Sequence, residues 1–114
     1  MTRILLVEDD TETGRLLEHV LIAAGYEVDR AHVVAGACLH LERHSYDLVI
    51  ADVRLPDGTG IDVADGATEK GTKALIITGY ALQYPELRRY AFLMKPIRPD
   101  ELLDEVTRLL GVSA

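Results

Sequence analysis

The sequence predicts an α/β domain, a doubly wound five-stranded parallel sheet in the order 2-1-3-4-5. Three observations predict it. The runs Ile4-Leu5-Leu6-Val7, Leu48-Val49-Ile50-Ala51 and Ala74-Leu75-Ile76-Ile77 are apolar without alternation, as strands covered on both faces are. Helical stretches with one apolar stripe separate them, which favours right-handed crossovers to parallel neighbours. Each run also ends on polar or turn residues, at the strand ends where open α/β sheets hold ligands.

The first strand, 4–7, ends in Glu8-Asp9-Asp10. A helix starts at Thr11 with Leu16, Leu17, Val20, Leu21 and Ala24 on one stripe. Asp10 or Thr11 can cap it, and Gly25 can end it. Residues 27–31 form a short second strand and 33–44 a second helix, weakened a little by Gly36. The third strand, 47–51, runs into Asp52, with Pro56, Gly58 and Gly60 in the turn behind it. A short third helix over 61–69 contains Gly66 and is closed by Gly71.

The fourth strand, 74–77, ends at Thr78-Gly79-Tyr80, and 81–90, with Pro85, has room for one or two helical turns. The fifth, 91–94, ends at Lys95-Pro96, and Phe92 within it is expected in the core. Pro99 opens the last helix, with Asp100 and Glu101 near its positive dipole end. Leu102, Leu103, Val106, Leu109 and Leu110 form its buried stripe, and Gly111 stops it.

At 114 residues the chain reads as one domain over 1–114, and with only 112–114 beyond the last helix no output domain is expected. A net charge of −7, from 12 basic and 19 acidic residues, disfavours nucleic acid, whose phosphates would be repelled. The single cysteine, Cys38, excludes an internal disulfide framework and fits a reducing cytosol. The opening apolar run is too short for a signal peptide or a spanning helix, so a cytoplasmic protein without a membrane partner is expected.

The order 2-1-3-4-5 places the switch point between the first and third strands, bringing Glu8, Asp9 and Asp52 together. Three adjacent carboxylates repel one another unless a cation neutralises them. Oxygen ligands, few of them from protein, suit Mg²⁺, which keeps waters and accepts phosphate oxygens. Thr78 offers a hydroxyl and Lys95 an ammonium from the ends of neighbouring strands. Both can stabilise the oxygens of a phosphoryl group in transfer to a carboxylate.

Glu8-Asp9, Asp52 with Pro56 and Gly60, Thr78, and Lys95-Pro96, in that order at strand ends, resemble the receiver domain of bacterial response regulators. The resemblance covers essentially the whole chain and points to the stand-alone type. It implies a signalling switch rather than an enzyme, with self-catalysed phosphoryl transfer and autodephosphorylation. Asp52 would be the phosphoacceptor, with Mg²⁺ on Glu8 (directly or through water), Asp9, Asp52 and the Arg54 backbone carbonyl. Thr78 and Lys95 would grip the phosphoryl oxygens, and Phe92 would turn inward as Thr78 moves. The implied partners are a sensor histidine kinase or histidine phosphotransfer protein, and a downstream protein. Arg54 and Tyr80, two residues beyond Asp52 and Thr78, would slow loss of the phosphoryl group.

The chain also departs from that pattern. Thr78 follows Asp52 by 26 positions and Lys95 follows Thr78 by 17, shorter than in most receivers. The shortening falls on the third and fourth helices, and the fourth belongs to the family's usual output face. Thr78-Gly79-Tyr80 with a truncated fourth helix is similar to a single-domain group marked by Phe-Ala-Thr-Gly-Tyr, here with Ile76-Ile77 in place of Phe-Ala.

Other readings stay open beside this one. A flavin carrier shares the topology but needs a phosphate-cradling loop where this chain is acidic. A metal-dependent phosphatase would use Asp52 on outside substrates, without room for a substrate cap. A phosphorylation-independent docking module would not need the acidic pair, Asp52, Thr78 and Lys95. His40 and His44 have metal-pair spacing on a helix but lack a third ligand, so they read as a solvated face. His19 and His32 read the same way. Tyr84, Leu87 and Tyr90 form either an exposed patch or plain packing over a short crossover.

Overall fold

The computed structural model of the protein describes residues 1–79 and 84–111. Five parallel strands, β1 (Arg3–Val7), β2 (Glu27–Ala31), β3 (Leu48–Asp52), β6 (Lys73–Thr78) and β7 (Ala91–Met94), form one sheet in the order β2-β1-β3-β6-β7. This is the predicted 2-1-3-4-5 order. A two-pair antiparallel hairpin, β4 (Arg54–Leu55) and β5 (Gly58–Thr59), follows β3 and was not foreseen. Such a ribbon is too short to carry a hydrophobic period.

Strand alternation divides the core between the two faces of the sheet. Leu5, Val7, Val49, Ala51 and Ile76 pack with Ala37 and Leu41 of α2 (Val34–Arg43) and with Ile61, Val63, Ala64 and Ala67 of α3 (Gly60–Glu69). Ile4, Leu6, Leu48, Ile50, Leu75 and Ile77 pack with Leu17 and Leu21 of α1 (Thr11–Ala23) and with Leu102 and Val106 of α4 (Pro99–Leu110). Each of these large side chains contributes roughly 1.5–3 kcal/mol of burial. The three central strands are thus covered on both sides, which explains their unbroken apolar runs.

The helices obey local chemistry where the sequence supplies it. Asp10 caps α1 by accepting the Thr13 N–H at 2.9 Å. Thr59 and Asp62 form a reciprocal capping box on α3, so this helix starts firmly despite Gly66. Gly111, at φ 70°, ends α4 in the left-handed conformation that side chains disfavour. The α1 stripe is narrower than expected. Leu17 and Leu21 are buried, but Leu16 is 54% exposed and Ala24 is also at the surface. The Arg30 guanidinium lies against Gly14, where an added Cβ would fall 2.0 Å from its Nη2, and fills part of that side.

The last crossover is as short as the sequence predicts, and the largest departure, Phe92, lies on the strand after it. Between β6 and β7 the described residues contain a single 3₁₀ segment, Pro85–Arg89. Leu87 is buried, and Tyr84 and Tyr90 pack against the same core cluster, so these three are packing rather than an exposed patch. Phe92 is not in the core. It pairs with Ile76 across the ladder and therefore faces the α2–α3 side, on the edge strand of the sheet. It is 39% exposed, and Met94 on the same side is 51% exposed.

Candidate functional site

The carboxyl ends of β1, β3, β6 and the segment after β7 converge on one depression of about 460 Å³, lined by Asp9, Asp52, Arg54, Gly79 and Lys95. Glu8 lies beneath it, wholly buried. One Glu8 oxygen accepts the Asp10 N–H at 3.1 Å; the other, Oε2, has no hydrogen-bond donor among the described residues. Asp9 is exposed and Asp10 serves α1, so three consecutive acids have three different environments.

Asp52 is the last residue of β3 and is almost fully buried. Its Oδ1 accepts the Arg54 N–H at 3.2 Å, and its Oδ2 lies 2.8 Å from Lys95 Nζ. Lys95 Nζ also stands 3.4 Å from Glu8 Oε2, and the Lys95 backbone N–H donates to the Thr78 carbonyl at 2.9 Å. The Lys95–Pro96 peptide is cis. Thr78 is buried at the end of β6. Gly60 closes the wall, because a Cβ there would fall 2.2 Å from the Asp52 carbonyl oxygen.

Glu8, Asp9 and Asp52 can each present one oxygen within 4.8 Å of the others. Such a group is repulsive in a poorly solvated place. Burial first, and the neighbouring Asp52 carboxylate with it, push the Glu8 carboxyl up to about 7, against the Asp10 N–H and Lys95. Burial works to lower the Lys95 ammonium, but the hydrogen bond to Asp52 and the charges of Glu8 and Asp52 raise it on balance. One ammonium faces three carboxylates, so negative charge remains in excess. The carboxylate trio and this surplus, with Glu8 Oε2 held only by the Lys95 ion pair, fit a hard divalent cation with oxygen ligands.

Residues 4–107 match the family model of the response regulator receiver domain. The chain belongs to that family. This receiver domain is 33% identical over 117 residues to the response regulator receiver protein CpdR of Brucella abortus, covering 96% of this chain and 98% of that protein. It is 37% identical over 116 residues to the probable transcriptional regulatory protein SilR of Salmonella typhimurium, but spans only 50% of that longer protein. Among solved structures it superposes on the response regulator TrrA of Thermotoga maritima in complex with Mg²⁺ and BeF, with a TM-score of 0.86 and 31% identity. That match covers 96% of this chain and 99% of the other.

The structure thus brings Glu8, Asp9, Asp52 and Lys95 together, places Thr78 at the adjoining strand end, and sets the Arg54 backbone against Asp52. Phe92 stands apart at the sheet edge. Tyr80 lies outside the described residues. His40 donates or accepts at Tyr46 Oη (3.2 Å), and no third metal-ligating group joins it and His44 among the described residues. Two neighbours were not legible beforehand. His32 Nδ1 lies 3.3 Å from the Glu8 carbonyl, and Asp57 binds the start of α2. The Pro-Asp-Gly turn was visible in sequence, but nothing there said which helix it would meet. No helix among the described residues is long and apolar enough to cross a membrane.

Proposed function

We propose that this receiver domain is a phosphoacceptor switch in which Asp52 takes a phosphoryl group from a phosphohistidine. The donor is a sensor histidine kinase or a histidine phosphotransfer protein, met in the cytoplasm. One Asp52 oxygen forms a bond to phosphorus as the P–N bond breaks, and that electron pair goes to the imidazole nitrogen. Water later attacks phosphorus and the carboxylate leaves, so the domain catalyses its own reset and acts on no outside substrate.

Glu8, Asp9, Asp52 and the Arg54 carbonyl would hold Mg²⁺, which when bound neutralises charge on the phosphoryl oxygens. Lys95 orients Asp52 now and would move its ammonium onto the incoming oxygens. Thr78 would add a hydroxyl from the end of β6. As it shifts, the exposed Phe92 ring can turn in toward the α2–α3 side, changing the surface a partner meets.

The observation that carries this reading is the carboxylate trio with Lys95 at one open depression, Asp9 and Asp52 lining it and Glu8 buried beneath. Incubation with acetyl phosphate and Mg²⁺, followed by intact mass, tests it. A single phosphoryl adduct is expected on wild type, none on Asp52→Asn, and none with chelator. No adduct on wild type, with histidine-kinase donors also supplied, would leave a phosphorylation-independent docking module.

A further inference from the structure

Asp57, in the turn of the β4–β5 hairpin, accepts the Val34 N–H at 2.7 Å and the Ala35 N–H at 3.0 Å. These are the first amides of α2, and its own N-cap residue, Val33, makes no side-chain capping bond. Helix-start amides need an acceptor, and a carboxylate also suits the positive end of the dipole. The acceptor here comes from 23 residues away in sequence.

The other end of the hairpin is the phosphoacceptor. Arg54 donates its N–H to Asp52 Oδ1, Val53 N–H binds the Ile77 carbonyl at 2.9 Å, and Gly60 N–H binds the Val53 carbonyl at 3.0 Å. Thr59, paired with Arg54, caps α3. The base of the hairpin is therefore tied to the sheet and α3, and its turn to α2. A ribbon of two residue pairs has little stability of its own, so an external tie decides where its peptides sit.

We propose that Asp57 is a positioning residue of the phosphoacceptor site. By capping α2 in trans it holds the Arg54 peptide against Asp52 and couples the first turn of α2 to whatever Asp52 binds. This rests on the reading of Asp52 given above. Coupling between sites is reciprocal. If the cap steadies the site, an occupied site steadies the cap.

A plain helix cap is the competing role, and Val33→Ser separates the two. Serine at the N-cap position gives α2 a local acceptor without holding the hairpin. Wild type, Asp57→Ala and Asp57→Ala/Val33→Ser are compared by amide NMR, with Mg²⁺ alone and with Mg²⁺ plus beryllofluoride. The Asp57→Ala change is expected to weaken Mg²⁺ binding about fivefold or more, the lower end of ordinary coupling. The double variant recovers the melting temperature but not the affinity. In wild type, beryllofluoride slows exchange of the Val34 and Ala35 amides.

Mg²⁺ affinity restored along with stability in the double variant, or exchange at Val34 and Ala35 indifferent to beryllofluoride, overturns the proposal. Wild type that binds neither Mg²⁺ nor beryllofluoride overturns the phosphoacceptor reading and this inference with it.

Discussion

Two groups of charged side chains sit on this sheet, and they are built in opposite ways. Near the amino-terminal ends of β1 and β3, Asp29 accepts the Tyr46 hydroxyl at 2.6 Å and the Arg3 guanidinium at 2.8 Å. Arg3 also lies over the Tyr46 ring, 5.4 Å from its centre, and its N–H donates to Asp47 at 2.8 Å. At the carboxyl ends, Glu8 and Asp52 share the one ammonium of Lys95 with Asp9 close by, and the buried Glu8 Oε2 meets it as an ion pair without a hydrogen bond. The first group is saturated and serves the fold. The second keeps more negative than positive charge around Lys95, a surplus that a bound cation would relieve, which is how a binding site differs from a structural network.

The largest expected effect comes from Asp52→Asn. It removes phosphoryl uptake altogether in the intact-mass assay, while urea unfolding shows stability at or above wild type because one repelling charge is gone. A loss of stability as large as that of a core truncation would erase the contrast between the two groups.

Titration should separate them next, with opposite signs. Glu8 is raised by burial and by Asp52, so its protonated form favours the fold. Its contribution is fully present below its ordinary value of 4.5 and is lost as pH rises toward about 7. Asp29 is lowered, first by the Tyr46 hydroxyl and then, against burial, by Arg3. Its contribution is present above the ordinary aspartate value and is lost as pH falls through the lower folded one. Thermal melts without Mg²⁺ should show a decline from pH 5 to 7 that Glu8→Gln flattens, and Mg²⁺ should stabilise wild type more at pH 8 than at pH 5.

Asp29→Ala should cost about 1–2 kcal/mol in denaturant unfolding, held to that range because solvent screens the half-exposed Arg3. Tyr46→Phe, which leaves the Arg3–Asp29 pair, should cost about 1 kcal/mol. Both should accept phosphoryl at the wild-type rate; slowed uptake would show that the two groups are coupled. The smallest effect concerns the hydrolytic water. Arg54→Ala and Tyr80→Ala should each speed decay of the phosphorylated protein by a fewfold, on the order of 1 kcal/mol or less in barrier. Unchanged decay in both removes them from control of the hydrolytic water.

The sequence by itself determined the five strands, their order and the acidic and basic residues at their ends. Those features are local: unbroken apolar runs announce strands covered on both faces, and a polar residue ending such a run lands at the ligand-holding edge. Asp10 as a cap and Gly111 as a stop were legible for the same reason. What the sequence left undecided depends on which distant segments meet. The exposure of Phe92 follows from the place of β7 at the edge of the sheet, a fact about strand order rather than about the strand's own residues. The approach of Lys95 to Glu8 Oε2, the fit of Gly60 against the Asp52 carbonyl and the reach of Asp57 to α2 are long-range as well. Only the packed chain sets those distances, because contacts between residues far apart in sequence leave no local period to read.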